Sequence, residues 1–288
     1  MSSTAKADGG ALGILAGGGP LPGQVAAAAA AQGRAVFIVA FQDFAEPDIV
    51  APWPHEVIRL AAAGRILAAL RAHHCSELVL IGPVRRPSLR DLRPDAEGTR
   101  ILARIGRALF AGDDGLLAAL VRVLGEEGFT VRGAHEFLND GVGKPGPLGR
   151  HRPNDQALSD IARGVAVVRA LGQLDIGQGC VVQDGLVLAV EALEGTDRML
   201  ERAGTLRQPG QGGVLVKLVK PGQDRRADLP TIGPRTVLAA QQAGLAGIAF
   251  EAGGTLLTDP DGLRREADRS GLFVVGIDPA TLCERPPE

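Results

Sequence analysis

The sequence predicts an α/β protein: an N-terminal Rossmann-like, doubly wound parallel sheet, followed by a C-terminal mixed α/β domain. Three observations carry that expectation. Short apolar or β-branched runs alternate with alanine- and leucine-rich helical stretches through the first half. The first such run ends in Gly17-Gly18-Gly19, a strand-to-helix turn of the nucleotide-binding kind. In the second half Asp184-Gly185 separates two strand-like runs, and a hairpin there puts antiparallel neighbours into the sheet.

The elements follow in order. Ala11 to Ala16 is a short apolar strand, and Gln24 to Gln32 an alanine-dense helix closed by Gly33. Arg34 to Phe41 is β-branched and aromatic and forms the second strand. Gly64 to His74 is helical, and Glu77 to Ile81 is a third strand stopped by Gly82-Pro83. Helices are expected at Thr99 to Phe110 and Asp114 to Glu127, then a strand at Phe129 to Arg132. Residues 139–153 are rich in glycine and proline and poor in apolar side chains, and read as a linker; an active-site loop is the alternative. A helix at Asp155 to Leu171 opens the second domain, followed by strands at Cys180 to Gln183 and Leu186 to Glu191. Helix Thr196 to Ala203, strand Gly213 to Val219, helix Pro234 to Gly244, strand Ala246 to Phe250, helix Pro260 to Ser270 and strand Leu272 to Ile277 complete it. The expected organisation is a loose tail over 1–10, a first domain over 11–138, a linker over 139–153 and a catalytic domain over 154–288.

Composition narrows the function. The formal net charge of −2 provides no field for nucleic acid, and basic residues are not interleaved with aromatics. Three cysteines, Cys75, Cys180 and Cys283, lie far apart with no C-x-x-C pair, so a reducing cytoplasm is expected. The stretch Ile101 to Leu124 is broken by Arg104, Arg107, Asp113 and Asp114 and cannot span a bilayer. Histidines at 55, 73, 74, 135 and 151 show no metallophosphoesterase pattern, and no Walker loop or G-x-S-x-G elbow is present.

Four stretches could carry chemistry. At Gly17, Gly18, Gly19 and Leu21 a strand runs into glycines and a helix, offering amide protons and a positive helix end to phosphate. Pro22 occupies the third position of the dinucleotide fingerprint, which weakens the case for NAD; a tight turn without ligand is the plain alternative. Gly82 to Pro87, with Arg85 and Arg86, follows the third strand on the same edge, and either arginine could clamp a phosphate or be merely solvated. Glu191 to Arg198 packs three carboxylates around Gly195, Thr196 and Asp197; helix capping needs fewer, and the surplus could supply oxygens to Mg²⁺. Lys217, Lys220, Gln223, Asp224, Arg225, Arg226 and Asp228 crowd one loop, combining cations for a diphosphate with carboxylates for metal or water. A neutralised surface loop is the alternative there.

These stretches, in this order, resemble the LpxI family of UDP-2,3-diacylglucosamine pyrophosphatases. The segments are GILAGGGPLP, GPVRRP, DQALSDIARGVAVVRALGQLDIGQGCVV, GLVLAVEALEGTDRML, GVLVKLVKPGQDRRADLPTIG and GLAGIAFEAGGTLLTD. The resemblance implies Mg²⁺-dependent hydrolysis of a lipid-linked nucleotide sugar, UDP-2,3-diacylglucosamine, to UMP and 2,3-diacylglucosamine 1-phosphate (lipid X) in lipid A biosynthesis. It places the catalytic aspartate on Asp224. On this expectation Lys217 and Lys220 assist catalysis and Asp224, Asp197 and Asp228 are the metal ligands. Gly17, Gly18, Gly19, Leu21, Gly82, Arg85, Gly195, Thr196, Asp197, Gln223 and Arg226 meet the substrate. A cytoplasmic location, with contact at the inner face of the inner membrane, and a homodimer are further expectations. From the residues alone, a nicotinamide-dependent oxidoreductase and a non-catalytic nucleotide-sugar binding protein remain open.

Overall fold

In a computed structural model, the structure describes residues 10–85, 94–106, 108, 112–138 and 141–282. The start of the tail, Arg86, the expected end of the helix at Phe110, and Cys283 lie outside these residues. The chain divides into two compact units, Met1–Asn139 with Asp224–Asp228, and Asp140–Gln223 with Leu229–Glu288.

The first unit carries a five-stranded sheet, all parallel: β1 (Ala11–Ala16), β2 (Val36–Phe41), β3 (His55–Ile58), β4 (Cys75–Ile81) and β5 (Thr130–Val131). Their spatial order is β3-β2-β1-β4-β5. The chain therefore moves outward from β1 to β3 and returns to β1's other side, so the order reverses between β1 and β4. Helix α1 (Leu21–Ala31) begins three residues before the expected Gln24, because Pro22 in its first turn gives up no intrahelical bond. The short α2 (Pro47–Val50) and edge strand β3 were not expected from sequence. Helices α3 (Ala63–Ala72), α4 (Ala96–Ile105) and α5 (Asp113–Glu126) follow. α4 starts earlier than Thr99 because the Asp95 side chain accepts the Gly98 amide at 2.6 Å, and it stops at Gly106 with φ +53°. Leu15, Phe37, Val39 and Leu78 bury one sheet face with Ile66, Leu70, Ile101 and Leu124. The alternate residues Ile14, Ile38 and Val79 are also fully buried, and α1 contacts β1 and β2. A strand buried on both faces is what a parallel α/β sheet requires.

The second unit contains β6 (Gly146–Pro147), α6 (Asp155–Gln173), β7 (Gly179–Gln183), β8 (Leu186–Val190), α7 (Gly195–Thr205) and β9 (Val214–Lys217). It continues with β10 (Thr231–Ile232), α8 (Pro234–Gln242), β11 (Gly247–Glu251), β12 (Leu256–Leu257), α9 (Pro260–Ser270), β13 (Phe273–Ile277) and α10 (Pro279–Leu282). Six strands form one mixed sheet in the order β6-β13-β11-β9-β7-β8, with β9, β11 and β13 parallel and the β7–β8 hairpin antiparallel. β6, inside the glycine- and proline-rich 139–153 stretch, pairs antiparallel with β13. Side chains alternate faces as period two demands. Val181, Leu215, Ile248 and Val274 meet Met199, Val237 and Leu263 from α7, α8 and α9, whereas Cys180, Val216, Ala249 and Val275 meet Ile161, Val165 and Val168 from α6.

Candidate functional site

In the first unit both glycine turns lie where the strand order reverses, at the carboxyl ends of neighbouring β1 and β4. Ligands of doubly wound sheets bind at such a point. The turns touch backbone to backbone: a Cβ on Gly17 would stand 2.4 Å from the Gly82 carbonyl oxygen, and one on Gly82 2.4 Å from that of Gly18. Gly82 also has φ +94° and Gly19 φ +77°. The amides of this turn have partners within the chain: Gly17 donates to the Ile81 carbonyl at 2.9 Å, Gly18 to the Pro83 carbonyl at 3.0 Å, and Gly19 to Glu46 Oε1 at 3.1 Å. A carboxylate of the chain itself thus takes the Gly19 amide, so an anionic oxygen suits this position and an incoming phosphate must compete with Glu46. Leu21 is buried at the start of α1, and Arg85 is exposed beyond the β4 turn.

The segment Asp224–Asp228 belongs to this unit, and its Ala227 packs against the first unit's core. Asp224 anchors a single tight turn, its carbonyl accepting from Ala227 at 2.9 Å and Asp228 at 3.2 Å. Its carboxylate sits in the fork of Arg226, with Nε to Oδ1 at 2.9 Å, Nη2 to Oδ2 at 2.7 Å, and the Arg226 amide to Oδ1 at 3.0 Å. The guanidinium holds the Asp224 carboxyl below the usual aspartate range despite opposing desolvation, and Arg226 is raised in return. Asp224 is therefore a firmly ionised acceptor with little appetite for a proton.

In the second unit the polar groups gather at the carboxyl ends of β8 and β9. Lys217, 6% exposed, ends β9 and its Nζ donates to Thr196 Oγ1 at 2.7 Å. Thr196 in turn donates to Glu191 Oε1 at 2.7 Å. Gly195, with φ +78°, turns the chain into α7. Asp197 points outward, its side chain 67% exposed and 3.9 Å from Arg235. Lys220 Nζ pairs with Asp175 at 2.6 Å, and its amide donates to Gln223 Oε1 at 3.2 Å across the Pro221-Gly222 turn. Glu46 and Asp175 lie outside the stretches that the sequence singles out for chemistry. Asp175's positive φ of +52° leaves a trace in the L-D-I-G turn, whereas nothing near Glu46 marks it.

The expected ligands divide between the units, Asp224 and Asp228 in the first and Asp197 in the second. Among the described residues no group of three or more His, Cys, Asp or Glu could hold a metal. Mg²⁺ asks for less, one or two carboxylates with water and substrate phosphate completing the shell. An ionised Asp224 beside Asp228 fits that lean requirement, provided the Arg226 fork yields one oxygen.

A doubly wound parallel sheet with glycine turns where its strand order reverses, joined in one chain to a mixed sheet with the buried Lys217 at the end of β9, defines a two-unit α/β protein. Residues 11–141 match the model of the LpxI N-terminal domain and residues 144–275 that of the LpxI C-terminal domain, and the chain belongs to the LpxI family. It is 43% identical over 281 residues to the UDP-2,3-diacylglucosamine pyrophosphatase LpxI of Caulobacter vibrioides, covering 96% of this chain and 99% of that protein.

Proposed function

We propose that this chain hydrolyses the diphosphate of UDP-2,3-diacylglucosamine, releasing UMP and 2,3-diacylglucosamine 1-phosphate in lipid A biosynthesis, with Mg²⁺ bound. The observation that carries the reading is the 43% identity to a pyrophosphatase of that substrate, sustained over nearly the whole of both chains. Water attacks one phosphorus, the bridging P–O bond breaks, and the bridging oxygen leaves with the other phosphate. The anhydride resists this because its negative oxygens repel the nucleophile and charge builds on the leaving phosphate. Lys217 and Lys220 are the buried cations suited to neutralise that charge, with Arg226 and the exposed Arg85 as further partners. Asp224, whose basicity Arg226 depresses, serves to hold the metal or orient water rather than to take a proton. Asp228 is its neighbour for that task, and Mg²⁺ when bound would polarise a phosphoryl oxygen. The glycine turn then receives part of the nucleotide or sugar phosphate. Acyl chains on the substrate would bring the protein to a membrane surface; no helix among the described residues is long and apolar enough to cross one.

Purified protein given UDP-2,3-diacylglucosamine should release UMP with Mg²⁺, and EDTA should stop it. Asp224→Ala should lower turnover by about 100-fold or more while substrate still binds. No UMP under any metal condition would overturn the reading, and an active Asp224→Ala would remove that residue from it.

A further inference from the structure

The buried Glu191 and Lys217 are linked through the half-buried Thr196, and the proposed hydrolysis does not use Glu191. The ammonium of Lys217 can only donate, so at 2.7 Å the Thr196 oxygen must accept. The hydroxyl has one proton, and among the described residues the bond left for it is to Glu191 Oε1, also at 2.7 Å. One proton arrangement therefore serves both bonds. Helix capping does not account for the contact: the cap residue of α7 is Glu194, and it makes no side-chain cap bond. Glu191 is itself 6% exposed, and its second oxygen, Oε2, has no partner among the described residues. A buried, half-satisfied carboxylate is a poor choice for stability, where an apolar side chain would serve better. The fold nevertheless makes room for it: the Glu191 amide donates to the Gly179 carbonyl at 2.8 Å, and a Cβ on Gly179 would lie 2.7 Å from Oε2.

We propose that Glu191 is a positioning residue that, through the Thr196 hydroxyl, fixes the Lys217 ammonium at the carboxyl end of β9. Without the carboxylate the hydroxyl is free to turn its proton toward the ammonium, and Lys217 loses its single defined site. This inference rests on the proposed hydrolysis, with Lys217 meeting the substrate's phosphates.

The test is steady-state kinetics of UMP release by the full chain. Thr196→Val, which keeps the shape and deletes the hydroxyl, and Glu191→Met should each lower kcat about 10- to 100-fold, as small misplacements of a reacting group do. Thr196→Ser, which restores the link, should return within about threefold of the wild type. Because Glu191 acts through Lys217, neither change should cost anything further in a Lys217→Met background; where that background has no measurable turnover, the cycle is read on substrate affinity. Gly179→Ala, which displaces the carboxylate without deleting it, should lower kcat in the same direction if Glu191→Met fails to fold. Wild-type rates in Thr196→Val and Gly179→Ala, or equal losses with and without Lys217, would overturn the proposal. A wild-type chain that releases no UMP would instead overturn the hydrolysis itself.

Discussion

At the scale of single residues, Asp224 and Arg226 show how a carboxylate is kept ionised without deep burial. The fork supplies two charge-assisted hydrogen bonds and the Arg226 amide a third. The folded Asp224 consequently releases its proton at lower pH than it does in the unfolded chain. Its contribution to stability is complete above the ordinary aspartate range and is lost as pH falls through the depressed folded value. The stability gap between the wild type and Asp224→Asn, measured by urea unfolding, should therefore be widest above about pH 5 and shrink as the solution is acidified. A gap that stays constant down to acid unfolding would mean the fork does not hold in solution. The buried thiols give the opposite sign: burial pushes Cys180 up to about 12 and Cys75 up to about 11, which fits their reading as apolar fillers.

At the scale of elements, what the sequence revealed and what it hid divide by range. The Asp184-Gly185 hairpin was legible because both residues need positive φ, and they have +51° and +77°. What secures that hairpin was not legible: Asp160 on α6, 2% exposed, accepts the Asp184 amide at 3.0 Å and the Gly185 amide at 2.7 Å. The same distinction runs through the candidate site. Asp224 and Arg226 lie two apart in a loop dense with charge, so their pairing is local, whereas the Thr196–Lys217 bond joins positions 21 apart and exists only once β9 and α7 are placed. Strand β3 is not legible in the sequence because His55 and Glu56 interrupt its apolar pattern at a sheet edge, and β10 and β12 are too short for any periodicity. Asp160→Ala tests the hidden tie. It strands two amide protons and should destabilise the protein by about 2–4 kcal/mol in urea unfolding. A loss under about 0.5 kcal/mol would show that water or a neighbour satisfies those amides.

At the scale of the whole molecule, the path of the chain matters more than its order of domains. The chain leaves the first unit after Asn139, returns to it for Asp224–Asp228 alone, and leaves again at Leu229. The residue expected to carry catalysis thus belongs to the doubly wound unit, although it sits in sequence 85 positions beyond Asn139 and shortly after Lys217, the last residue of β9. Ala227 packs this returning segment onto the first unit's core, a cluster that includes residues of β2, β4 and α5. Replacing its methyl with a charged side chain should therefore loosen the distant N-terminal sheet. Ala227→Glu is expected to cost about 1–3 kcal/mol, the usual range for a charge forced against a core. Hydrogen exchange locates the cost: amides of β2 and β4 should exchange faster than in the wild type, while those of β9 and β11 keep their rates. Faster exchange confined to β9 and β11 would show that Asp224–Asp228 is held by the mixed sheet from which it departs, and would reassign Asp224 to that unit.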